Sequence, residues 1–376
     1  MIYLDSAATT KPYEEVVNTV ATITSCHWAN PSSNSTIADE TRCIIEAVRR
    51  QFAEDLNCEP ENIIFTSGGC ESNSLAIAGF LKKHKNYEMF TTNFEHTSIN
   101  QIADEFGAIK IPNNVVGRIS HNMLRDCLIH HQIQPLRLPF VSISAASSET
   151  GTIQDIKSLA KVVHSFGGVL HCDAVQLFPE QRIDVKKWDV DMMSISAQKF
   201  HGPKGIGVLY VKSGIEIDPI IYGSQEGYKR GGTYNTAAIA GMGKALELTR
   251  KNNATEYVRD LRDRLISTLT MIPGAYVNGA WARDLRLANN ISLSINGIDA
   301  EKLMTLCDLS GVVIARGSAC QSHIQTPSKA LLAMGLTQEE ALSTVRITLD
   351  EFNTKEEIDT AANIIVKLVD RIRSEH

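Results

Sequence analysis

The sequence predicts an α/β fold: a mostly parallel central sheet with helices on both faces, plus a smaller α+β domain. Short β-rich runs alternate with longer amphipathic runs between about residues 60 and 215. Strands separated by helices are typical of βαβ units and parallel sheets. Beyond about residue 255 this alternation ends. Because 376 residues allow two domains, we expect a large domain over 14–255 and a small domain formed by 1–13 and 256–376.

The predicted large domain contains five strands. An amphipathic helix from Glu71 to Lys83 follows the first strand, and a second helix runs from about Ile156 to Phe166. Gly167 and Gly168 end that second helix. In chain order the strands are Ile63 to Thr66, Pro139 to Ser144, Val169 to Cys172, Met192 to Ser196, and Gly207 to Val211.

The predicted small domain begins with a helix from about Glu256 to Met271. An alternating strand from Asn290 to Ile295 follows, then another strand from Val312 to Ala315. Two more helices are expected after Ile295. The last begins at Thr354 with Glu357 three residues later, which is the pattern of a capping box.

Composition narrows the functional class. The chain has 37 Lys and Arg against 43 Asp and Glu, a net charge of −6, so we expect no direct binding of nucleic acid. Its eight cysteines are scattered without a C-x-x-C pair, so neither structural zinc nor a disulfide framework is expected. The start, Met-Ile-Tyr-Leu-Asp, lacks a signal sequence, and no apolar run reaches the roughly 18 residues of a membrane helix. We therefore expect a soluble cytoplasmic enzyme that does not bind membranes.

A glycine-containing turn, Ser67-Gly68-Gly69-Cys70-Glu71, follows the first strand and leads directly into a helix. The free N–H groups and the dipole of a helix N-terminus can bind phosphate, although two glycines can also simply turn the chain. No G-x-G-x-x-G follows a strand, and no G-x-x-x-x-G-K-[ST] occurs. A phosphorylated cofactor other than NAD or ATP is therefore favoured.

Asp173 and Lys199 follow two neighbouring predicted strands, where ligands of doubly wound sheets bind. Pyridoxal phosphate needs a lysine for covalent attachment and an acid that keeps its ring nitrogen protonated. Lys199 could alternatively be an exposed loop lysine. Its combination with Asp173 and the glycine turn indicates pyridoxal phosphate.

The segment Ser196-Ala-Gln-Lys199-Phe-His-Gly-Pro-Lys-Gly-Ile-Gly207 resembles the lysine motif of the NifS-like cysteine desulfurases. These are pyridoxal-phosphate enzymes of the class V aminotransferase group with the fold-type-I architecture. The resemblance extends over nearly the whole chain. It includes Tyr3-Leu-Asp-Ser-Ala-Ala-Thr-Thr10, Asn30-Pro-Ser-Ser33, Phe65-Thr-Ser-Gly-Gly-Cys-Glu-Ser72, Glu95-His96, His171-Cys-Asp-Ala-Val-Gln176, Arg230-Gly-Gly-Thr233, Arg316-Gly-Ser-Ala-Cys320 and Val345-Arg346.

This resemblance implies roles for individual residues. Lys199 would bind the cofactor covalently and later move the substrate Cα proton, and Asp173 would pair with the ring nitrogen. Gln176 would bind the ring hydroxyl, and His96 would stack on the ring and act as an acid–base group. The resemblance assigns further cofactor contacts to Gly69, Cys70, Ser148, Ser196, Gln198 and Thr233.

The resemblance also implies L-cysteine as substrate, bound by Arg346 and Asn30, and a homodimer in which Thr233 reaches the neighbouring subunit's phosphate. Cys320, in a loop after a strand, would attack the substrate sulfur and pass a persulfide to an acceptor protein. Cys172 is the rival nucleophile, but its position before Asp173 favours the core. Apart from Cys320, the cysteines are expected to be packing or supporting residues.

Three positions depart from the family pattern. Gln198 replaces a histidine, Ser148 an asparagine, and Cys70 a threonine. These changes fit either neutral variation or a paralogue serving one sulfur pathway, in Fe–S assembly or in tRNA or DNA modification. Other hypotheses are a different pyridoxal enzyme, such as a selenocysteine lyase or an aminotransferase, and a catalytically weakened scaffold.

Overall fold

A computed structural model describes residues 1–131, 137–317 and 326–375 of the chain. Its strands are β1 (Ile2–Tyr3), β2 (Ile63–Thr66), β3 (Tyr87–Thr91), β4 (Ile109–Lys110), β5 (Leu138–Ser144), β6 (Val169–Asp173), β7 (Met192–Ser196), β8 (Gly207–Val211), β9 (Ala275–Val277), β10 (Asn290–Ile295), β11 (Val312–Val313), β12 (Ala315–Arg316) and β13 (Thr344–Thr348). Its α-helices are α1 (Glu14–Cys26), α2 (Thr36–Leu56), α3 (Gly69–Lys83), α4 (Thr97–Glu105), α5 (His121–His131), α6 (Ile156–Ser165), α7 (Val185–Trp188), α8 (Thr236–Asn252), α9 (Thr255–Leu269), α10 (Ala300–Leu309), α11 (Lys329–Ala333), α12 (Gln338–Leu342) and α13 (Lys355–Ser374).

A seven-stranded sheet in the order β2-β8-β7-β6-β5-β3-β4 forms the centre of the molecule. The five strands from β7 to β4 are parallel to one another, and β8 runs antiparallel to both of its neighbours. The predicted mostly parallel sheet is therefore confirmed. Because β2 has the same direction as β7, the carboxyl ends of β2, β3, β5, β6 and β7 meet at one edge.

Both faces of this sheet are covered by helices, as the sequence predicts. Successive strand residues point to opposite faces, so Phe65 joins one core, which includes α2, α5, α6 and α8, while Ile64 joins the other, which includes α3 and α4. The uniformly buried strands explain why short apolar runs marked them so clearly in the sequence.

The C-terminal part has its own four-stranded antiparallel sheet, in the order β12-β13-β10-β9. The single strand predicted from Val312 to Ala315 is wrong in one respect: it is divided at Ile314. Val312–Val313 pairs with β1, whereas Ala315–Arg316 pairs with β13, because the chain passes from one sheet to the other at this point. The two short helices α11 and α12 were also not predicted.

The first ten residues connect the two parts. Leu4 is fully buried in the core formed by residues 258–372, and Ala7 donates its backbone N–H to Thr348 Oγ1 at 2.9 Å. Three residues later, Thr10 donates its N–H to the carbonyl of Gln198, beside Lys199, at 2.9 Å. A separate core after residue 255 supports the proposed domain division, which stays a prediction.

Helix α13 begins as predicted. Thr354 accepts a hydrogen bond from the Glu357 backbone N–H, and the Glu357 side chain accepts one from Thr354, which completes the capping box. Ile358 and Ile365 lie on its buried face. Within the described ranges, no helix combines the length and apolar character that crossing a membrane would require.

Candidate active site

A cavity of about 340 Å³ lies at the carboxyl edge of the central sheet. This is where ligands of doubly wound sheets bind. Most of the site residues predicted from the sequence line it together: Gly69, Cys70, His96, Ser148, Asp173, Gln176, Ser196, Gln198, Lys199 and Arg346. The ends of β2, β5, β6 and β7, the middle of β13 and the start of α4 bring them together.

Lys199 ends the short 3₁₀ turn that follows β7. Its Nζ donates hydrogen bonds to the backbone carbonyls of Ala7 at 2.6 Å and Ala8 at 2.7 Å. Gln176 Nε2 donates to the same Ala7 carbonyl at 3.1 Å. The N-terminal segment therefore positions both the lysine and the glutamine at the cavity wall.

Asp173 is the last residue of β6, and its carboxylate is fixed by two hydrogen bonds. Oδ1 accepts the Val175 backbone N–H at 3.0 Å, and Oδ2 accepts Asn73 Nδ2 at 2.8 Å. Asn73 was not predicted from the sequence; it lies on α3 one helical turn after the Gly69-Cys70 turn. That i, i+4 spacing was the available signal, because such residues share a helix face. The buried Asn73 Oδ1 has no hydrogen-bond partner.

The glycine turn forms the cavity wall at the start of α3, which begins at Gly69, two residues earlier than predicted. Gly68 has a φ of 144°, a conformation that favours glycine. A Cβ on Gly69 would lie 2.9 Å from Val175 Cγ2, so the backbone there packs closely against the loop after β6. The first N–H groups of a helix have no partner within it, and the turn thus offers N–H donors for an anion.

The neighbouring Glu71 holds this turn in place. Its carboxylate accepts the Ser67 backbone N–H at 2.7 Å and the Arg230 Nε–H at 2.7 Å. Burial alone would raise the pKa of Glu71, but the hydrogen bonds from Arg230 and Ser67 outweigh burial and lower it. Glu71 is therefore ionised, and it ties the segment before Thr233 to the glycine turn.

His96 is the N-cap residue of α4 and faces the cavity. Its Nδ1 accepts the Ser98 backbone N–H at 3.2 Å and lies 2.8 Å from Ser98 Oγ. The residue is exposed by surface area and borders the cavity, and the neighbouring protein removes part of the water around its ring. This partial burial lowers the pKa of His96, an effect that the Asp173 carboxylate opposes and Lys199 reinforces. The ring is therefore neutral at neutral pH.

Glu95 lies beneath the same cavity and is buried. Its Oε1 accepts Thr92 Oγ1 at 2.6 Å, and its Oε2 accepts the Ser144 backbone N–H at 2.8 Å. Burial, reinforced by the Asp173 charge, raises the pKa of Glu95 to about 7 despite these hydrogen bonds. Besides Asp173, the site therefore contains the carboxyl group of Glu95, which is partly protonated at neutral pH.

Arg346, on β13, is held from two sides. Nη2 donates to Asp5 Oδ1 at 2.7 Å, and Nη1 donates to the Ser148 carbonyl at 3.3 Å. Its buried Nε has no hydrogen-bond partner. A fixed guanidinium with a spare N–H suits a carboxylate ligand. Asp5 was quoted in the sequence only as part of a motif, and its contact with Arg346 was not predicted.

A further carboxyl, Glu149, also lines the cavity and was missed. It accepts a hydrogen bond from Ser328 Oγ, and a Cβ on Gly317 would lie 2.6 Å from its Oε2. Burial raises its pKa, although Arg346 and Ser328 oppose this. Glu149 thus contacts the residues on either side of 318–325. Cys320, the predicted nucleophile, lies outside the described residues.

The structure does not bring Thr233 and Asn30 into this cavity. Both are exposed, and Asn30 instead accepts the Ser32 backbone N–H at 3.0 Å. Cys172 is fully buried, and burial raises the pKa of its thiol, which agrees with a packing role. Cys26 and Cys43, however, are exposed and lie outside the cavity lining, so the packing or supporting role expected of them is wrong. They lie on the solvent faces of α1 and α2.

The chain is similar to known proteins over almost its whole length. The aminotransferase class-V family model matches residues 2–360. The cysteine desulfurase IscS of Clostridium botulinum is 35% identical, with 99% of this chain and 95% of that protein covered. The NifS-like protein of Rickettsia africae has a TM-score of 0.88 at 30% identity, covering 98% of this chain and 99% of that one.

A third solved structure, SspA in complex with cysteine, has a TM-score of 0.81 at 29% identity, covering 94% of this chain and 100% of that one. The chain shares the fold-type-I architecture with these proteins. The chain therefore belongs to the class V aminotransferase family, among its NifS-like cysteine desulfurases.

Proposed function

We propose that this protein is a pyridoxal-phosphate-dependent cysteine desulfurase that converts L-cysteine to L-alanine and carries the sulfur as a persulfide on Cys320. In the net reaction the substrate C–S bond breaks and an S–S bond to Cys320 forms. The hydrogen of the Cys320 thiol replaces sulfur on Cβ, so atoms and electrons balance. The observation that best supports this proposal is one cavity lined by Lys199, Asp173, His96 and Arg346.

The residues present fit pyridoxal phosphate. The N–H groups at the start of α3 suit its phosphate, Asp173 suits its ring nitrogen, and Lys199 its aldehyde. The buried, unpartnered Asn73 Oδ1 in the cavity wall is a further polar atom available to a ligand. When bound, pyridoxal phosphate supplies an electron sink for the bond that breaks at the substrate Cα.

The protein's own groups then have separate tasks. Arg346 binds the substrate carboxylate, with its unpartnered Nε–H as one donor. Lys199 Nζ would take the proton from the substrate Cα, and the Asp173 carboxylate would keep the ring nitrogen protonated. His96, which lines the same cavity, would stack on the ring and offer a hydrogen-bond donor to the bound ligands.

The similarity to SspA in complex with cysteine supports L-cysteine as the substrate. The test measures alanine and sulfide released from L-cysteine in the presence of a thiol reductant. We expect equal amounts from the wild type, and from Cys320→Ala the bound-cofactor colour but neither product. Lys199→Ala should lack the absorbance of the covalently bound cofactor. Alanine release by Cys320→Ala at the wild-type rate would contradict the role of Cys320 and favour a lyase reaction that needs no nucleophile.

We also propose a homodimer. Thr233 is exposed and lies outside this chain's own cavity lining, as a residue serving a neighbouring subunit must. Nearby Tyr222 is 85% exposed and Tyr228 73% exposed, which suits an interface rich in aromatic side chains. Light scattering should give twice the mass of one chain, and Thr233→Ala should weaken cofactor binding. A monomer with a full complement of cofactor would contradict this arrangement.

The sulfur acceptor is proposed to be a protein. The net charge of −6 disfavours direct transfer to a nucleic acid. Incubating the persulfide form with a cell extract under reducing-agent-free conditions should label a protein thiol. Labelling of RNA or DNA by the purified enzyme alone would contradict this proposal.

A further inference from the structure

Two polar side chains, those of Asn73 and Ser98, connect Asp173 to His96. Asn73 Nδ2 lies 2.8 Å from Asp173 Oδ2 and 3.1 Å from Ser98 Oγ. Ser98 Oγ in turn lies 2.8 Å from His96 Nδ1. Asn73 and Asp173 are buried, at 1% and 6% exposed, so water does not easily replace the hydrogen bond between them.

The direction of each hydrogen bond in this series is determined by chemistry. An ionised carboxylate only accepts, so the Asn73 amide must turn its NH₂ group toward Asp173, and its second N–H is then directed at Ser98. The Ser98 backbone N–H only donates, and it lies 3.2 Å from His96 Nδ1. That nitrogen must therefore carry the lone pair, and in the neutral ring the hydrogen is on Nε2.

The Ser98 hydroxyl completes the series without conflict. It accepts from Asn73 and donates to the same lone pair of His96 Nδ1. The two donors from Ser98 thus stabilise the same tautomer, one through the backbone and one through a side chain that Asn73 orients. The opposite tautomer would set the Nδ1–H against the Ser98 backbone N–H.

We propose that Asn73 and Ser98 are positioning residues that fix His96 in its Nε2–H tautomer, so that the ring presents a hydrogen-bond donor, and not a proton acceptor, to the cavity. This inference rests on the proposed function for the identity of the bound ligands, but the tautomer itself is a property of the protein alone. It leaves Lys199 as the group that accepts the substrate proton. It also makes Asn73 common to both sides of the site, because the same amide holds Asp173.

The direct test is ¹⁵N NMR of histidine-labelled protein, with and without pyridoxal phosphate, at a pH above the pKa of the ring. The His96 signals are assigned by their loss in His96→Gln. We expect a single Nε2–H tautomer in the wild type. Ser98→Ala keeps the backbone N–H and loses only the hydroxyl, so the Nε2–H tautomer should remain the major form beside a minor Nδ1–H form, and Ser98→Thr, which restores the hydroxyl, should return the wild-type spectrum. Ser98→Pro, which removes both donors in the first turn of α4, should give a mixture of tautomers. A wild-type Nδ1–H tautomer, or a wild-type spectrum in Ser98→Pro, would overturn the proposal.

Cofactor affinity separates the two ends of the series. Asn73→Ala removes a hydrogen bond to a charged group, so we expect its dissociation constant for pyridoxal phosphate to rise by about tenfold or more. Ser98→Ala leaves that bond in place and should change the affinity by less than about twofold, on the scale of a neutral contact. Ser74→Ala, on the same helix, is the matched control and should change neither measurement. Equal losses of affinity in Ser98→Ala and Asn73→Ala would show that the Asn73–Asp173 contact and the Ser98–His96 contact do not act separately on cofactor binding.

These outcomes also distinguish the inference from the proposed function. A wild type that neither binds pyridoxal phosphate nor releases alanine, yet shows the Nε2–H tautomer, refutes only the function. A wild type that is an active desulfurase with mixed tautomers refutes only the inference.

Discussion

Asp5 Oδ1 lies 2.7 Å from Arg346 Nη2, although the two residues are 341 positions apart in the sequence. Both side chains are largely buried, at 16% and 5% exposed. A charge-assisted hydrogen bond of this length restricts the guanidinium strongly. The first residues of the chain therefore orient the arginine that we assign to the substrate before any substrate arrives.

Arg346→Lys should reduce kcat/KM for L-cysteine by about 10- to 100-fold, because an ammonium group cannot reproduce the fork of hydrogen bonds to a carboxylate. Most of this loss should be in KM, and the affinity for pyridoxal phosphate should be unchanged. Arg264→Lys, in an exposed pair with Asp359 remote from the cavity, is the control. A normal KM in Arg346→Lys would remove Arg346 from the substrate site.

Gly69→Ala should weaken cofactor binding, since the new Cβ would lie 2.9 Å from Val175 Cγ2 and displace the turn. We expect Val175→Ala in the same chain to restore part of the affinity, because it removes the atom that clashes. Equilibrium dialysis of the two single variants and the double variant measures this coupling. If the double variant binds no better than Gly69→Ala, the close packing of these residues is not what shapes the turn.

Cys70→Thr should strengthen the binding of pyridoxal phosphate. A hydroxyl is a better donor than a thiol, and a hydrogen bond to the charged phosphate changes affinity by about tenfold or more. Cys70→Ala should have little effect on the affinity for pyridoxal phosphate, because it removes only a weak S–H donor. A strong loss of affinity in Cys70→Ala would instead mean that the thiol itself has a direct role in binding.

Stability should depend on pH through Glu95. Burial raises the pKa of Glu95 from 4.5 to about 7, so the folded protein binds this proton more tightly than the unfolded chain. The resulting contribution to the free energy of unfolding is fully present below about pH 4.5 and is lost as the pH rises through about 7. The wild type should therefore lose stability relative to Glu95→Gln over this range, as measured by urea unfolding in one cofactor state.

The comparison isolates Glu95 because Glu180, whose pKa burial also raises to about 7, is present in both proteins. Glu54→Gln, at an exposed position, is the control and should follow the wild-type curve. Parallel pH profiles for the wild type and Glu95→Gln would show that the carboxyl ionises in the folded protein as it does in the unfolded chain.

The strands were predictable wherever burial on both faces leaves a short apolar run bounded by polar residues. Met192–Ser196 and Gly207–Val211 agree with prediction to the residue. The division at Ile314 was not predictable, because it depends on Ile2–Tyr3 pairing with a segment more than 300 residues away. Local periodicity contains no information about such a partner.

The site residues divide in the same way. Lys199 and Asp173 could be predicted because they directly follow strands and because their chemistry is specific. Asn73, Asp5 and Glu149 were missed because each acts through a tertiary contact with a residue distant in sequence. An asparagine within a helix has no distinctive sequence signal. Only the position of Asp173 relative to α3 shows that Asn73 holds the Asp173 carboxylate.

The N-terminal segment has a consequence for biosynthesis. Its backbone carbonyls at Ala7 and Ala8 hold Lys199, and the Ala7 N–H is itself held by Thr348, which is translated 341 residues later. A ribosome-bound chain therefore lacks this attachment until residue 348 has emerged. The cavity can be completed only after that point, and chains truncated before Thr348 should neither retain cofactor nor consume cysteine.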